Sequence, residues 1–380
     1  MILTRDKKKN EKQFDKYFFI LVILITIIGL FSFVSASLGI LTKNESTFYA
    51  VLFNQIVFGF IGGLFAMWGT SKIPYLFWKK YAFYIFVATL LLTVSVFIPK
   101  LGFSHGGARR WIELGPVSFQ PAELLKLGFI IYFSAWLVWT QKKQGEIKYK
   151  IIPLISFLGL IALILLKQPD TKSLILITAA TCSMLFVSGV SWKKIIGIII
   201  VGILGLILLA FTRPYVMNRI KTYINPSNDP TGSSYQLQQS LIAVGSGGVL
   251  GRGLGQSVQK FNYLPEPQGD SVFAVFGEEF GFLGTFVLII LYVFLGIRGY
   301  KIALNAPDTF GQYLVVGIIS LIIAQSFLNI TSLLGLFPLT GVPLVFISHG
   351  GTSLLIALGG TGIILNVSKY QNENQKAIYS

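Results

Sequence analysis

The run YFFILVILITIIGLFSFVSAS, residues 17–37, is one of ten apolar stretches, and such stretches leave a chain few options. In hydrocarbon every backbone N–H and C=O needs a partner within the protein, so an apolar segment of about 20 residues crosses a bilayer as a helix. The other stretches fall at 49–69, 80–98, 119–139, 151–167, 172–191, 195–212, 271–297, 311–333 and 349–368, with the first taken as 17–40. Charged residues make up 12% of the chain, against about 25% in soluble domains. These features predict an all-α integral membrane protein of about ten transmembrane helices. The first run is longer than the ~7–15 apolar residues of a signal peptide, so it reads as a retained helix.

The connections carry the orientation. With a cytoplasmic N-terminus, 19 of the 31 Lys and Arg fall on inside segments and 11 outside, and only Lys126 lies within a span. The positive-inside rule then puts both termini in the cytoplasm. The expected organisation is a basic tail at 1–16, one ten-helix transmembrane domain at 17–368 and a second tail at 369–380. A large extracytoplasmic loop at 213–270 joins helices 7 and 8. The net charge of +16 is spread over short loops without a binding motif, which excludes nucleic acid as a partner. The lone Cys182 sits in an apolar run and excludes an internal disulfide or a CxxC metal site.

Ionisable residues in or beside spans are expensive there and mark function by default. In the outer loop 99–118, GGARRWIELG offers Arg109 and Arg110 beside Trp111. Paired guanidiniums suit phosphate oxygens, or else the group anchors the loop at lipid headgroups. In FQPAELLKL, Glu123 and Lys126 stand three apart on one helix face, as a wet-cavity pair or a structural ion pair. KQPDTKS sets Asp170 between Lys167 and Lys172, where an exposed acid is also compatible with simple solvation.

YLPEPQGDSVFAVFGEEFGFLG, residues 263–284, holds Asp270 at the mouth of the eighth span and Glu278 and Glu279 inside it. Helical spacing would place Glu278 about 12 Å below Asp270 on nearly the same face, with Glu279 turned away. Asp270 is also a good helix-cap residue. FISHGGTSLL opens the tenth span with His349 and two glycines; neither His349 nor His105 has a second ligand at metal spacing. A short helix is expected over SYQLQQSLIAVG within the long loop. All these groups converge on the outer face, as a site for an anionic, lipid-linked substrate requires.

The motifs GARRWIELGPVSFQPAELLKL, QPD, NPSNDPTGSSYQLQQSLIAVGSGGVLGRGLGQSVQKFNYLPEP, FAVFGEEFGFLG and FISHGGTSLL, in this order, resemble those of the SEDS family (FtsW, RodA and SpoVE). GLGQSVQKFNYLPEP is closer to the FtsW branch. The chain departs from the family pattern in reading QGDSVFA for HTDFIFA, QPDTKS for QPDLGT and SHGGTS for SYGGSS.

The resemblance implies a peptidoglycan glycosyltransferase that polymerises lipid II at the outer face of the bacterial cytoplasmic membrane, at the septum if the chain acts like FtsW. It implies Asp270 as the catalytic general base. Glu278, Trp111, Glu123, Lys126 and Asp170 are supporting residues, and Arg109 and Arg110 bind the pyrophosphate. A class B penicillin-binding protein and other division or elongation membrane proteins are the implied partners. A divalent cation such as Mg2+ would screen the pyrophosphate, although no fixed ligand set is visible. The alternatives are a lipid II flippase, against which the nearly uncharged inner halves of the spans argue, and a scaffold, which has no use for Asp270.

Overall fold

The computed structural model describes residues 13–99, 101–105, 108–114, 117–142, 147–212, 214–224 and 232–371. Most of both charged tails, Lys100, Arg213 and the stretch 225–231 lie outside the described residues, as does the side chain of His105.

Ten apolar helices coincide with the ten expected segments. They are α1 (Lys16–Leu41), α2 (Glu45–Lys72), α3 (Tyr75–Val94), α4 (Pro121–Lys142), α5 (Ile147–Lys167), α6 (Thr171–Val187) and α7 (Trp192–Thr212), then α10 (Val272–Leu304), α11 (Thr309–Leu333) and α12 (Gly351–Ser368). Eight are long and apolar enough to cross a membrane; the apolar part of α5, Pro153–Lys167, and α6 are shorter. Between α7 and α10 stand α8 (Pro214–Ile224) and α9 (Ser233–Ser246), the second where SYQLQQSLIAVG predicts a helix. Side chains start several helices: Asp15 accepts from Phe18 N, Asn44 from Thr47 N and Asp308 from Gly311 N.

Burial sorts the helices. In α4, α11 and α12 between 67% and 78% of the most apolar stretch is buried inside the protein, whereas in α7 it is 11%. The first three therefore form the centre of the bundle, and α7 turns Phe211, Leu208 and Val201 outward, as a lipid-facing helix does. At the end of the bundle away from the long loops, Arg298 of α10 pairs with Asp15 at 2.8 Å, and Asp15 N donates to Ser368 Oγ at 2.9 Å. This contact ties the starts of α1 and the ends of α10 and α12 together.

The all-helical expectation needs one addition. The Gly-rich stretch before α4 folds as an antiparallel sheet of β1 (Gly102–His105), β2 (Ala108–Leu114) and β3 (Val117–Phe119), in that order. The pairing of β1 with β2 shifts register between Phe103 and Ser104, so Arg110 is an extra residue in β2 between Arg109 and Trp111. Phe103 lies opposite Trp111 and Glu113 opposite Ser118, so these four share one face.

Two stretches of the bundle are not helical although they are packed inside it. In α10 the helix breaks at Gly281 (φ 65°, ψ −163°), a conformation that costs a residue with a Cβ dearly. The break frees backbone groups, and the loop after α9 takes them up. Arg252 N and Gly253 N donate to Glu278 O and Glu279 O, while Phe282 N and Leu283 N donate to Gly248 O and Val249 O, all at 2.9–3.1 Å. The backbones touch: a Cβ on Gly281 would lie 2.3 Å from Gly251 N. The second stretch, residues 335–350 between α11 and α12, buries Val342, Leu344, Val345, Phe346 and Ile347.

Candidate active site

A buried irregular segment must find donors for its carbonyls, because no water reaches them. Residues 340–348 find them in six side chains from five helices. Arg219 of α8 donates to Thr340 O at 2.9 Å, Lys172 of α6 to Gly341 O at 2.5 Å, and Asn329 and Gln325 of α11 to Val342 O and Pro343 O at 2.7 and 3.2 Å. Tyr292 of α10 donates to Val345 O, and Gln55 of α2 to Ser348 O at 3.2 Å. The segment is thereby a fixed shelf.

Above the shelf lies a cavity of about 540 Å³. Phe103, Trp111, Glu113 and Ser118 cover it with one face of the sheet. Asp270, Lys172, Glu123, Glu266 and His349 line it further, together with Gly341 and the start of α12. Five distant parts of the chain meet here, and large pockets with convergent polar groups are where ligands bind.

Asp270 stands in the turns before α10, not on the helix. Its carboxylate does not cap α10, which starts at Ser271 without a side-chain cap. Instead Oδ1 accepts from Gln236 Nε2 of α9 at 3.1 Å, and Oδ2 faces Gly341, whose Cβ position would be 3.3 Å away. Gly341 has φ +64°, so this approach needs glycine twice over. Asn329 Nδ2, which holds Val342 O, also donates to the carbonyl of Asp270 at 2.7 Å and so binds shelf and acid together. Burial pushes the Asp270 carboxyl above the ordinary aspartate range; Lys172, the Gln236 hydrogen bond and Arg219 work against it. An acid raised in this way, half-buried beside an open cavity, is a better proton acceptor than an ordinary aspartate.

Glu123 and Lys126 form an ion pair at 2.8 Å inside the bundle centre, with Lys126 only 2% exposed. Ser353 Oγ of α12 donates to Glu123 at 3.1 Å, and Lys126 donates to Gln325 at 2.8 Å. The pair thus joins α4, α11 and α12 and reaches the shelf through Gln325. Arg110 lines the cavity and donates to the carbonyls of Gln168, at 2.8 Å, and Pro169. Arg109 is exposed and is not part of the lining.

Asp170 is not the solvated acid its lysine neighbours suggest. It is 0% exposed, caps α6 through Ser173, whose hydroxyl donates to it at 2.7 Å, and accepts from Gln120 at 3.2 Å. Trp111 lines the cavity.

Glu278 lies elsewhere than helical spacing predicts. Because residues 267–271 form turns, the spacing does not extend back to Asp270, and the carboxylate of Glu278 accepts from Ser257 Oγ, Val258 N and Gln259 N at 2.5, 3.0 and 3.2 Å. Glu279 pairs with buried Lys260 at 2.9 Å and accepts from Ser35 at 2.6 Å. Both glutamates hold the 252–260 loop to α1 and α10.

Arg219, Gln236, Gln325 and Asn329 belong to this neighbourhood and escape a motif reading. Gln325 and Asn329 did carry a signal: two amides four apart, on one face of an apolar span. Arg219 and Gln236 sit in a polar loop and carried none. Among the described residues no group of three or more His, Cys, Asp or Glu side chains is placed to hold a metal ion.

The model of the FtsW/RodA/SpoVE family, described as cell cycle protein, matches residues 15–373. Stage V sporulation protein E of Bacillus subtilis is 38% identical over 358 residues, which are 94% of this chain and 97% of that protein. A probable peptidoglycan glycosyltransferase FtsW of Geobacter sulfurreducens is 37% identical over 364 residues, covering 95% and 96%. Among solved structures, a chain from a peptidoglycan synthase complex that coordinates polymerization and crosslinking superposes with a TM-score of 0.74 at 26% identity, covering 95% of this chain and 99% of that one. The rod shape determining protein RodA of Thermus thermophilus gives 0.67 at 25% identity, covering 94% and 98%.

Proposed function

The chain belongs to the FtsW/RodA/SpoVE family, and from that premise we propose that it is a peptidoglycan glycosyltransferase that polymerises lipid II with Asp270 as general base. The observation that carries the mechanism is the placement of Asp270 on a 540 Å³ cavity, held by Gln236 and by the Asn329 bridge to the shelf.

The Asp270 carboxylate takes the proton of the 4-hydroxyl on one lipid-linked sugar. The oxygen attacks C1 of a second, and the C1–O bond to undecaprenyl pyrophosphate breaks with its electron pair on the pyrophosphate. Pyrophosphate leaves readily, so one base suffices where glycoside hydrolysis needs two carboxylates. Displacement at an α-linked carbon inverts it and gives a β-linked strand. Arg110 on the cavity wall, with Arg219 beside Gly341 of the shelf, would offset the charge that develops.

The charge distribution of the loops supports cytoplasmic termini and a cavity at the outer face of the cytoplasmic membrane. A class B penicillin-binding protein is the partner this reading requires, since a polymerised strand must be crosslinked. The supporting solved complex performs both steps.

The test is polymerisation of purified lipid II by the purified protein with its transpeptidase, wild type against Asp270→Asn. The variant is expected to lose activity by roughly 10²–10⁴-fold while folding normally, the usual contribution of a general base. Equal glycan synthesis by both would overturn the mechanism. Lipid II crossing vesicle membranes without polymerisation would make the chain a flippase instead.

A further inference from the structure

Lys172 occupies the first turn of α6, in the QPDTKS stretch, where the family pattern QPDLGT has glycine. Its ammonium lines the cavity that Asp270 lines and reaches the shelf at Gly341 O, 2.5 Å away. The Cβ position of the same Gly341 meets Asp270 Oδ2 at 3.3 Å and Arg219 Nη2 at 3.7 Å. One glycine is therefore met by a carboxylate and by two cations supplied by different helices.

The remaining charges around Asp270 are engaged with other groups. Glu123 of α4 is paired with Lys126 and Ser353, Asp170 of α6 with Ser173 and Gln120, and Arg110 of β2 with two carbonyls. Glu113 and Glu266 face the cavity as like charges, and His349 lines it with its amide on Gln268 O. Lys172 is the leading charge that opposes the effect of burial on Asp270. Without this cation the raising effect of burial would be opposed only by the Gln236 hydrogen bond, Arg219 and the backbone.

We propose that Lys172 is a positioning residue for polymerisation, holding the Asp270 carboxylate ionised and locking the shelf against it. The inference rests on Asp270 being the base. After each addition the proton from the acceptor hydroxyl sits on Asp270, and the neighbouring cation favours its release to water before the next cycle.

The experiment is a pH profile of lipid II polymerisation by the full chain with its transpeptidase. Lys172→Gln retains a donor for Gly341 O without the charge, and Lys172→Arg retains both; Lys172→Met serves if the Gln variant does not accumulate. Because the cation stabilises the ionised form, its removal raises the pH at which Asp270 gains its proton. The neutral variant should therefore lose activity below neutrality by about tenfold for each unit the acid limb moves up. It should recover towards the wild-type rate at higher pH, and Lys172→Arg should keep the wild-type limb. A carbodiimide that reacts with protonated carboxyls gives a readout independent of turnover: labelling of Asp270, read by mass spectrometry, should persist to higher pH in Lys172→Gln. A variant equally slow at every pH, or an unmoved labelling midpoint, overturns the proposal. If Asp270→Asn polymerises as well as wild type, the base assignment itself falls; if it is inactive while the Lys172→Gln profile runs parallel to wild type, only the role of Lys172 falls.

Discussion

The two non-helical stretches inside the bundle solve the same problem in opposite ways. At Gly281 the freed amides and carbonyls of α10 are met by the backbone of residues 248–253. On the shelf, the carbonyls of 340–348 are met by side chains of Arg219, Lys172, Asn329, Gln325, Tyr292 and Gln55. Backbone pairing demands only that two chains come close, so it requires glycines and brings no chemistry. Side-chain pairing draws cations and amides into the bundle, and those groups then surround whatever acid stands beside them. Asp270 stands beside the shelf; Glu278 and Glu279 stand beside this backbone clamp at Gly281, fully covered and tied to Val258 N and Lys260.

This contrast can be broken from either side. The largest stability loss is expected at the clamp, from Gly281→Ala. Its positive φ and the 2.3 Å approach to Gly251 N leave no room for a methyl group. A strained left-handed residue costs up to about 3 kcal/mol before the clash is added. A large fall in the thermal unfolding temperature in detergent checks it, and a variant as stable as wild type would show that the clamp tolerates a straight helix. Asn329→Leu comes next, because it leaves the carbonyls of Val342 and Asp270 without their donor. Unpaired buried groups cost about 1–3 kcal/mol. Here polymerisation per folded molecule should fall as well, since the shelf positions Asp270; unchanged turnover would separate shelf from chemistry. The smallest effect belongs to Glu278→Gln, which keeps one acceptor oxygen but loses the charge that Arg252 and two amides address. A loss near 1 kcal/mol is expected, with the pH profile of turnover unchanged. A shifted acid limb would return Glu278 to the active site.

The amount of this that the sequence made legible follows the range of the forces involved. The spans were legible because burial in hydrocarbon acts on each segment separately, and α9 because its composition is that of a helix between turn residues. Glu123 and Lys126 were legible because three residues of helix bring them together. Asp270 could be singled out, but its neighbours could not: Gln236, Asn329 and Lys172 are up to 98 positions away, and no local rule links them. The misplaced Glu278 shows the same limit. Counting helical turns from Asp270 assumed a helix that the Gln268–Gly269 turn has not yet begun. The sheet over the cavity was hidden because its strands are short and lie among glycines.

The break in α10 also bears on the membrane around the protein. Residues 282–304 alone rise about 35 Å, enough to span ~30 Å of hydrocarbon. The nine residues before the break form a separate stub that carries the acid-bearing turn at its head. Tilting of the long part in response to bilayer thickness therefore acts on a joint that four backbone bonds to residues 248–253 already hold. Asp270 stands ahead of a piece of backbone that the span itself does not need.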